Sequence, residues 1–245
     1  MKAAGDVTRK IIICLERSAA LSYQKEFERS EEMIHSAVSK ISQTNGSVRL
    51  LLEVLSNCYL SAFYRRRRGM LGKAEGCLKI AKKISSGFPP CLAVAILLYE
   101  EGSWQRDFAS ILTGSRKEPA IAKAKEKAKE LIQRCIDLCS GLDDAKIYVR
   151  KQQHSAVCKM ALINLHCRTS AARNESITPE SIQEARKRLE TLQTDYYSKT
   201  EVQCAKIQRF IAKVDLEYRL KEYNEAEKCA KEALEIAKML KFYFV

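Results

Sequence analysis

The sequence predicts an all-α fold of about ten helices arranged as antiparallel pairs. Three observations predict it. Only nine glycines and four prolines occur in 245 residues, too little turn chemistry for a sandwich or barrel, which needs a turn roughly every 8–12 residues. Long stretches are rich in Ala, Leu, Glu, Lys and Arg, the residues that lose least on entering a helix. A small residue followed four positions later by an apolar one, and by another three after that, recurs along the chain. Residues at that spacing share one helical stripe, and the small member lets a neighbouring helix approach closely.

The stripes locate the second helix of each pair. They are Ser30, Ile34 and Ala37; Cys77, Ala81 and Ile84; Ala128, Ile132 and Cys135; Ala185, Leu189 and Leu192; and Ala226, Ala230 and Ala233. Each is preceded by another apolar-periodic stretch, at about 8–23, 47–68, 90–112, 145–168 and 199–220. Helix-stop residues separate the units: Thr44-Asn45-Gly46, Gly87 with Pro89 and Pro90, and Gly141 with Asp143 and Asp144. Longer breaks fall within units at 113–119 and 169–179, the second ending in Thr178-Pro179, a capping residue followed by a first-turn proline. The predicted units are 8–43, 47–86, 90–140, 145–194 and 199–243, within one helical repeat domain spanning 1–245.

Composition narrows the function classes. Apolar residues make up 46% of the chain, enough to build a core rather than a disordered chain. Most of the ten cysteines occupy positions where a small apolar residue would serve, and the chain is far larger than domains that need disulfide staples. This predicts reduced thiols and a cytoplasmic setting, with the nucleus also open. The run Ile11-Ile12-Ile13-Cys14-Leu15 is followed at once by Glu16 and Arg17, unlike a secretory leader. The longest apolar run, Cys91 to Tyr99, is too short to cross a bilayer, so no membrane association is expected. Enzyme signatures are missing: there is no Gly-rich phosphate loop, no G-x-S-x-G and no H-E-x-x-H, and only three histidines occur. The pairs Cys135/Cys139 and His154/Cys158 each share a helix face, but an antiparallel arrangement makes Cys139 and Cys158 diverge, which argues against a structural zinc. No catalytic residue, metal or cofactor is predicted.

The net charge of +13 is uneven: residues 47–90 hold nine Lys/Arg against two acids. Arg65-Arg66-Arg67-Arg68 follows Tyr59, Phe63 and Tyr64 near a helix end, where arginines favour the helix dipole and can also pair with carboxylate or phosphate. Four consecutive residues point all round a helix, so they cannot all face one groove. Lys123, Lys125, Lys127 and Lys129 alternate with Ala and Glu and read as exposed surface. Trp104, after Glu100-Glu101-Gly102-Ser103, reads as a packing residue at a helix irregularity.

The last unit, Leu220 to Ala226 and on through Ala233-Leu234-Glu235-Ile236, resembles the second helix of a tetratricopeptide repeat. There an aromatic precedes the first small residue by three, as Tyr223 precedes Ala226 and Phe27 precedes Ser30. Met70-Leu71-Gly72-Lys73-Ala74-Glu75 resembles the same turn, and Pro89 falls where that family often closes a repeat. The stripes recur 47, 51, 57 and 41 positions apart, against about 34 in the standard repeat. Tyr64-Arg65 and Lys213-Val214 stand at the family's Leu-Gly position. The resemblance implies a right-handed α-solenoid whose first helices line a concave groove, and hence a non-catalytic protein–protein interaction scaffold. It would place Tyr59, Phe63 and Arg66 inward, with Arg65, Arg68, Lys151 and Arg219 as further contacts for an acidic partner segment. The run Phe63-Tyr64-Arg65 to Ala81 with Glu100–Trp104 is similar to interferon-induced tetratricopeptide proteins, which implies RNA binding as an alternative. The apolar end Lys241-Phe242-Tyr243-Phe244-Val245 suggests self-association as a third reading.

Overall fold

The computed structural model describes residues 2–67, 69–112, 118–142, 157–159, 161–162, 178–194 and 203–239. These residues are helical or lie in turns, with no strand among them. The helices are α1 Lys2–Tyr23, α2 Phe27–Ile41, α3 Gly46–Arg66, α4 Leu71–Ser85, α5 Leu92–Ile111, α6 Glu118–Gly141, α7 Pro179–Thr194, α8 Gln203–Arg219 and α9 Tyr223–Met239. Residues 157–159 and 161–162 are also helical, inside the stretch predicted as a helix at 145–168. The chain forms two compact units, 1–138 and 139–245.

In the first unit each helix packs on its neighbours along the chain. The hairpins α1–α2 and α3–α4 are its tightest contacts; α3 also meets α1, α2 and α5, and α4 meets α5. Two apolar clusters result. Ile11, Leu15, Ile34, Ala37, Ile41, Leu52 and Phe63 form one. Val54, Cys58, Leu78, Ala81, Ala93 and Leu97 form the other. The third helix contributes to both, so it is buried on nearly every side: Leu52, Val54, Ser56, Cys58, Ala62 and Phe63 are all covered. A helix apolar all round belongs between layers rather than on a surface.

The stripes are seams, with two corrections of register. Ser30, Ile34 and Ala37 are each 0% exposed, as are Ala128, Ile132 and Cys135, and Ala185 and Leu189 are buried. In α4 the buried set is Ala74, Leu78 and Ala81 rather than Cys77, Ala81 and Ile84, because Cys77 and Ile84 sit at the edge of the contact. In α9 it is Ala226, Cys229, Ala233 and Ala237, and Ala230 is exposed. Ser30 does more than leave room: its hydroxyl donates to the Ser18 carbonyl across the hairpin at 2.8 Å.

The turn into the second helix repeats in detail. Lys25 has φ of 63° and Lys221 of 65°, and Gly69 has 76°. Each lies five positions before the small residue that opens its stripe: Ser30, Ala226 and Ala74. At the end of α1, Lys25 N–H donates to Ser22 at 3.2 Å and Glu26 N–H to Leu21 at 3.0 Å. At the end of α8, Lys221 N–H donates to Tyr218 at 3.1 Å and Glu222 N–H to Glu217 at 2.9 Å. This is the Schellman closure, which ties off the last helical carbonyls through a left-handed residue.

Gly102 explains another seam. Helix α5 runs unbroken from Leu92 to Ile111, so the expected irregularity near Trp104 is absent. A Cβ at Gly102 would lie 2.6 Å from Ile132 Cγ1 and 3.1 Å from the Ala128 carbonyl oxygen; the glycine is there because α6 presses on it. Trp104 is indeed a packing residue, stacked on Phe108 at 5.1 Å and donating its indole N–H to the Leu71 carbonyl at 3.0 Å. Thr178 caps α7, its Oγ1 accepting the Ser181 N–H at 3.3 Å.

Candidate functional site

The arginine run was the sharpest feature of the sequence, and most of its described charge is turned inward. Arg65 has a side chain only 6% exposed, with Nη2 2.6 Å from Glu100 Oε2 and Nη1 2.7 Å from Asp107 Oδ2. Both acids lie on α5, so this guanidinium fastens α3 to α5. Burial works against its charge, but Glu100 and then Asp107 outweigh it and hold its pKa above the usual arginine range. Arg67 turns the other way, to α2. It pairs with Glu31 at 3.1 Å and lies over the rings of Phe27 and Phe63, 5.7 and 5.5 Å from their centroids.

Two predicted contact residues are therefore corrected. Phe63 is 1% exposed and edge-on to Phe27 at 6.2 Å, so it is core. Arg65 is an internal tie whose two Nη groups face acids. Tyr59 is half-buried against the first apolar cluster. Arg66 is half-buried in the last turn of α3, and Arg219 likewise in α8. Arg68 and Lys151 lie outside the described residues, as do His154 and the apolar end 241–245. Among the described residues no group of three or more His, Cys, Asp or Glu is placed to hold a metal ion, and no helix is long and apolar enough to cross a membrane. The alternating lysines lie at the surface, Lys127 and Lys129 paired with Glu130 and Glu126 at 2.8 Å each.

The second unit holds a cleft of about 520 Å³ built by α7, α8 and α9. Leu189, Leu216 and Leu220 give it an apolar floor. Its charged lining is Arg186 and Lys213 against Glu190, Glu217, Glu222 and Glu225. Lys213 Nζ lies 2.6 Å from Glu225 Oε1, fastening α8 to α9. Their hydrogen bond raises the Lys213 pKa and lowers that of Glu225. Arg186 is 3.8 Å from Glu190 one helical turn away. Once these pairs are made, two carboxylates are in surplus. Glu222 is exposed at the start of α9, and Glu217 is buried, at 7% exposure. The Glu217 side chain has no hydrogen-bond or ion-pair partner among the described residues. Sequence reasoning missed it, because a glutamate in Asp215-Leu216-Glu217-Tyr218 reads as surface. In the structure it lines the cleft together with Arg186, Leu189 and Glu190 of α7.

The fold and these sites define an all-α protein of packed helix hairpins. No family model matches the chain, and comparison with curated proteins gives no significant match.

Proposed function

We propose that this protein is a non-catalytic protein–protein interaction scaffold of the tetratricopeptide type, a right-handed solenoid that holds a partner segment on its helical surface. The observation that carries this reading is the repeated seam. Neighbour-on-neighbour packing in the first unit and the matching left-handed turns at Lys25, Gly69 and Lys221 are what stacked helix pairs require. Such stacks bury their cores between pairs and leave long helix faces for partners. A setting in the cytoplasm agrees with reduced thiols. The RNA-binding alternative is less well supported, because Arg65 and Arg67 are engaged by Glu100, Asp107 and Glu31. The expectation of an acidic partner loses Arg65 and Phe63.

The experiment is a peptide-array screen of the intact chain, followed by titration of the hits and of single-stranded RNA at two salt concentrations. Saturable capture of particular peptides with little RNA binding is expected. Tight RNA binding that falls steeply with salt, with no peptide captured, would overturn the proposal.

A further inference from the structure

We infer that the cleft between α7, α8 and α9 is a receptor for a cationic side chain, a lysine or arginine carried by a basic partner segment. The inference rests on the scaffold reading and names the chemistry of one partner contact. The chain as a whole carries a charge of +13, yet this cleft is lined by four glutamates against two cations. Both cations already have carboxylates, Lys213 at 2.6 Å from Glu225 and Arg186 at 3.8 Å from Glu190.

Glu217 is the independent mark of a ligand. It is 7% exposed, lines the cleft, and has no side-chain partner among the described residues. Little of the residue meets solvent, yet neither carboxylate oxygen is fully enclosed, so the group opens on the cleft with no donor already in place. A guanidinium or ammonium group that enters can donate to it directly, a charge-assisted bond stronger than a neutral one. The apolar floor of Leu189, Leu216 and Leu220 suits the methylene stem that both side chains carry behind the charge. Glu222, at the first residue before α9, stands where it would draw the cation in. An acidic or neutral side chain meets repulsion or an unmet carboxylate here, so the cleft selects by charge.

The test uses the intact chain and two fluorescein-labelled peptides, one of alanine and arginine and one of alanine and glutamate, read by anisotropy at low and moderate salt. The arginine peptide should bind and the glutamate peptide should not. Glu217→Gln keeps the shape and removes the charge; it should weaken binding roughly thirtyfold or more while leaving the melting temperature unchanged or raised. Glu217→Asp should retain part of the affinity, and Glu222→Gln should cost only a few-fold, as expected of an exposed charge. Equal binding of both peptides, or arginine binding untouched by Glu217→Gln, overturns this inference and leaves the scaffold reading standing. A sharp fall in melting temperature for Glu217→Gln also overturns it, because the carboxylate would then be structural. If neither peptide binds, the inference fails, and the scaffold reading is decided by the array screen.

Discussion

Gly102→Ala isolates how closely α5 and α6 are packed. The added methyl would sit 2.6 Å from Ile132 Cγ1, when carbon atoms rest at about 3.5–4.0 Å. The Ile132 atom is the first beyond its Cβ, in a side chain that is 0% exposed, so it has little room to swing aside. The Ala128 carbonyl oxygen, at 3.1 Å, is backbone and moves only with its helix. Relief therefore requires the helices to part by about 1 Å. Overpacking of this kind costs about 1–3 kcal/mol. Alanine recovers about 0.8–1 kcal/mol through helix propensity, leaving a net loss of up to roughly 2 kcal/mol. Gly76→Ala is the internal control: Gly76 lies within α4 with nothing inside 4 Å of its added methyl. It should gain about 0.5–1 kcal/mol. Urea titrations followed by circular dichroism measure both. If the two alanines shift stability in the same direction, the close approach at Gly102 is not what the glycine is for.

Arg65→Gln should destabilise the fold by about 3 kcal/mol or more, because Glu100 is left buried without its partner. A loss below about 0.5 kcal/mol in the same titration would mean the tie between α3 and α5 is idle. Ser30→Ala should cost about 1 kcal/mol through the lost hydrogen bond to Ser18, seen as a lowered urea midpoint. Glu225 has a lowered pKa from its hydrogen bond with Lys213, so its contribution exists above the ordinary value of 4.5 and is lost as pH falls through the lowered one. Melting temperatures of the native chain and Glu225→Gln should therefore differ at neutral pH and converge in acid; a constant gap refutes the pairing. The Cys58 thiol is fully buried and its pKa is pushed up by that burial and by Glu100 and Glu101. It should resist iodoacetamide until the chain unfolds, as mass spectrometry of the labelled peptide will report.

What the sequence revealed depended on whether the cause was local. Ser30, Ile34 and Ala37 were readable because a helix stripe is written in spacing alone. In α4 the reading slipped by three positions, since Ala74–Leu78–Ala81 and Cys77–Ala81–Ile84 have the same spacing and lie on one side of the helix. Only contact with α3 and α5 selects between them. The role of Arg65 was hidden because its partners Glu100 and Asp107 lie 35 and 42 positions away, and nothing in four consecutive arginines marks one as internal. Glu217 was hidden because its place in a cleft with Arg186, Leu189 and Glu190 depends on how α7 and α8 come together, which spacing along one helix does not record.

The recurring bend at Lys25, Gly69 and Lys221 says how little information each hairpin needs. What each hairpin demands is modest: one backbone position tolerant of a left-handed twist, a compact side chain five places on, and greasy ones at two further points. Lysine fills the first position in two of the turns and glycine in the third, although only glycine takes a left-handed twist without a steric cost. Architecture specified by so few rules fixes only a handful of letters in each hairpin, so the same bend can be written in many different sequences.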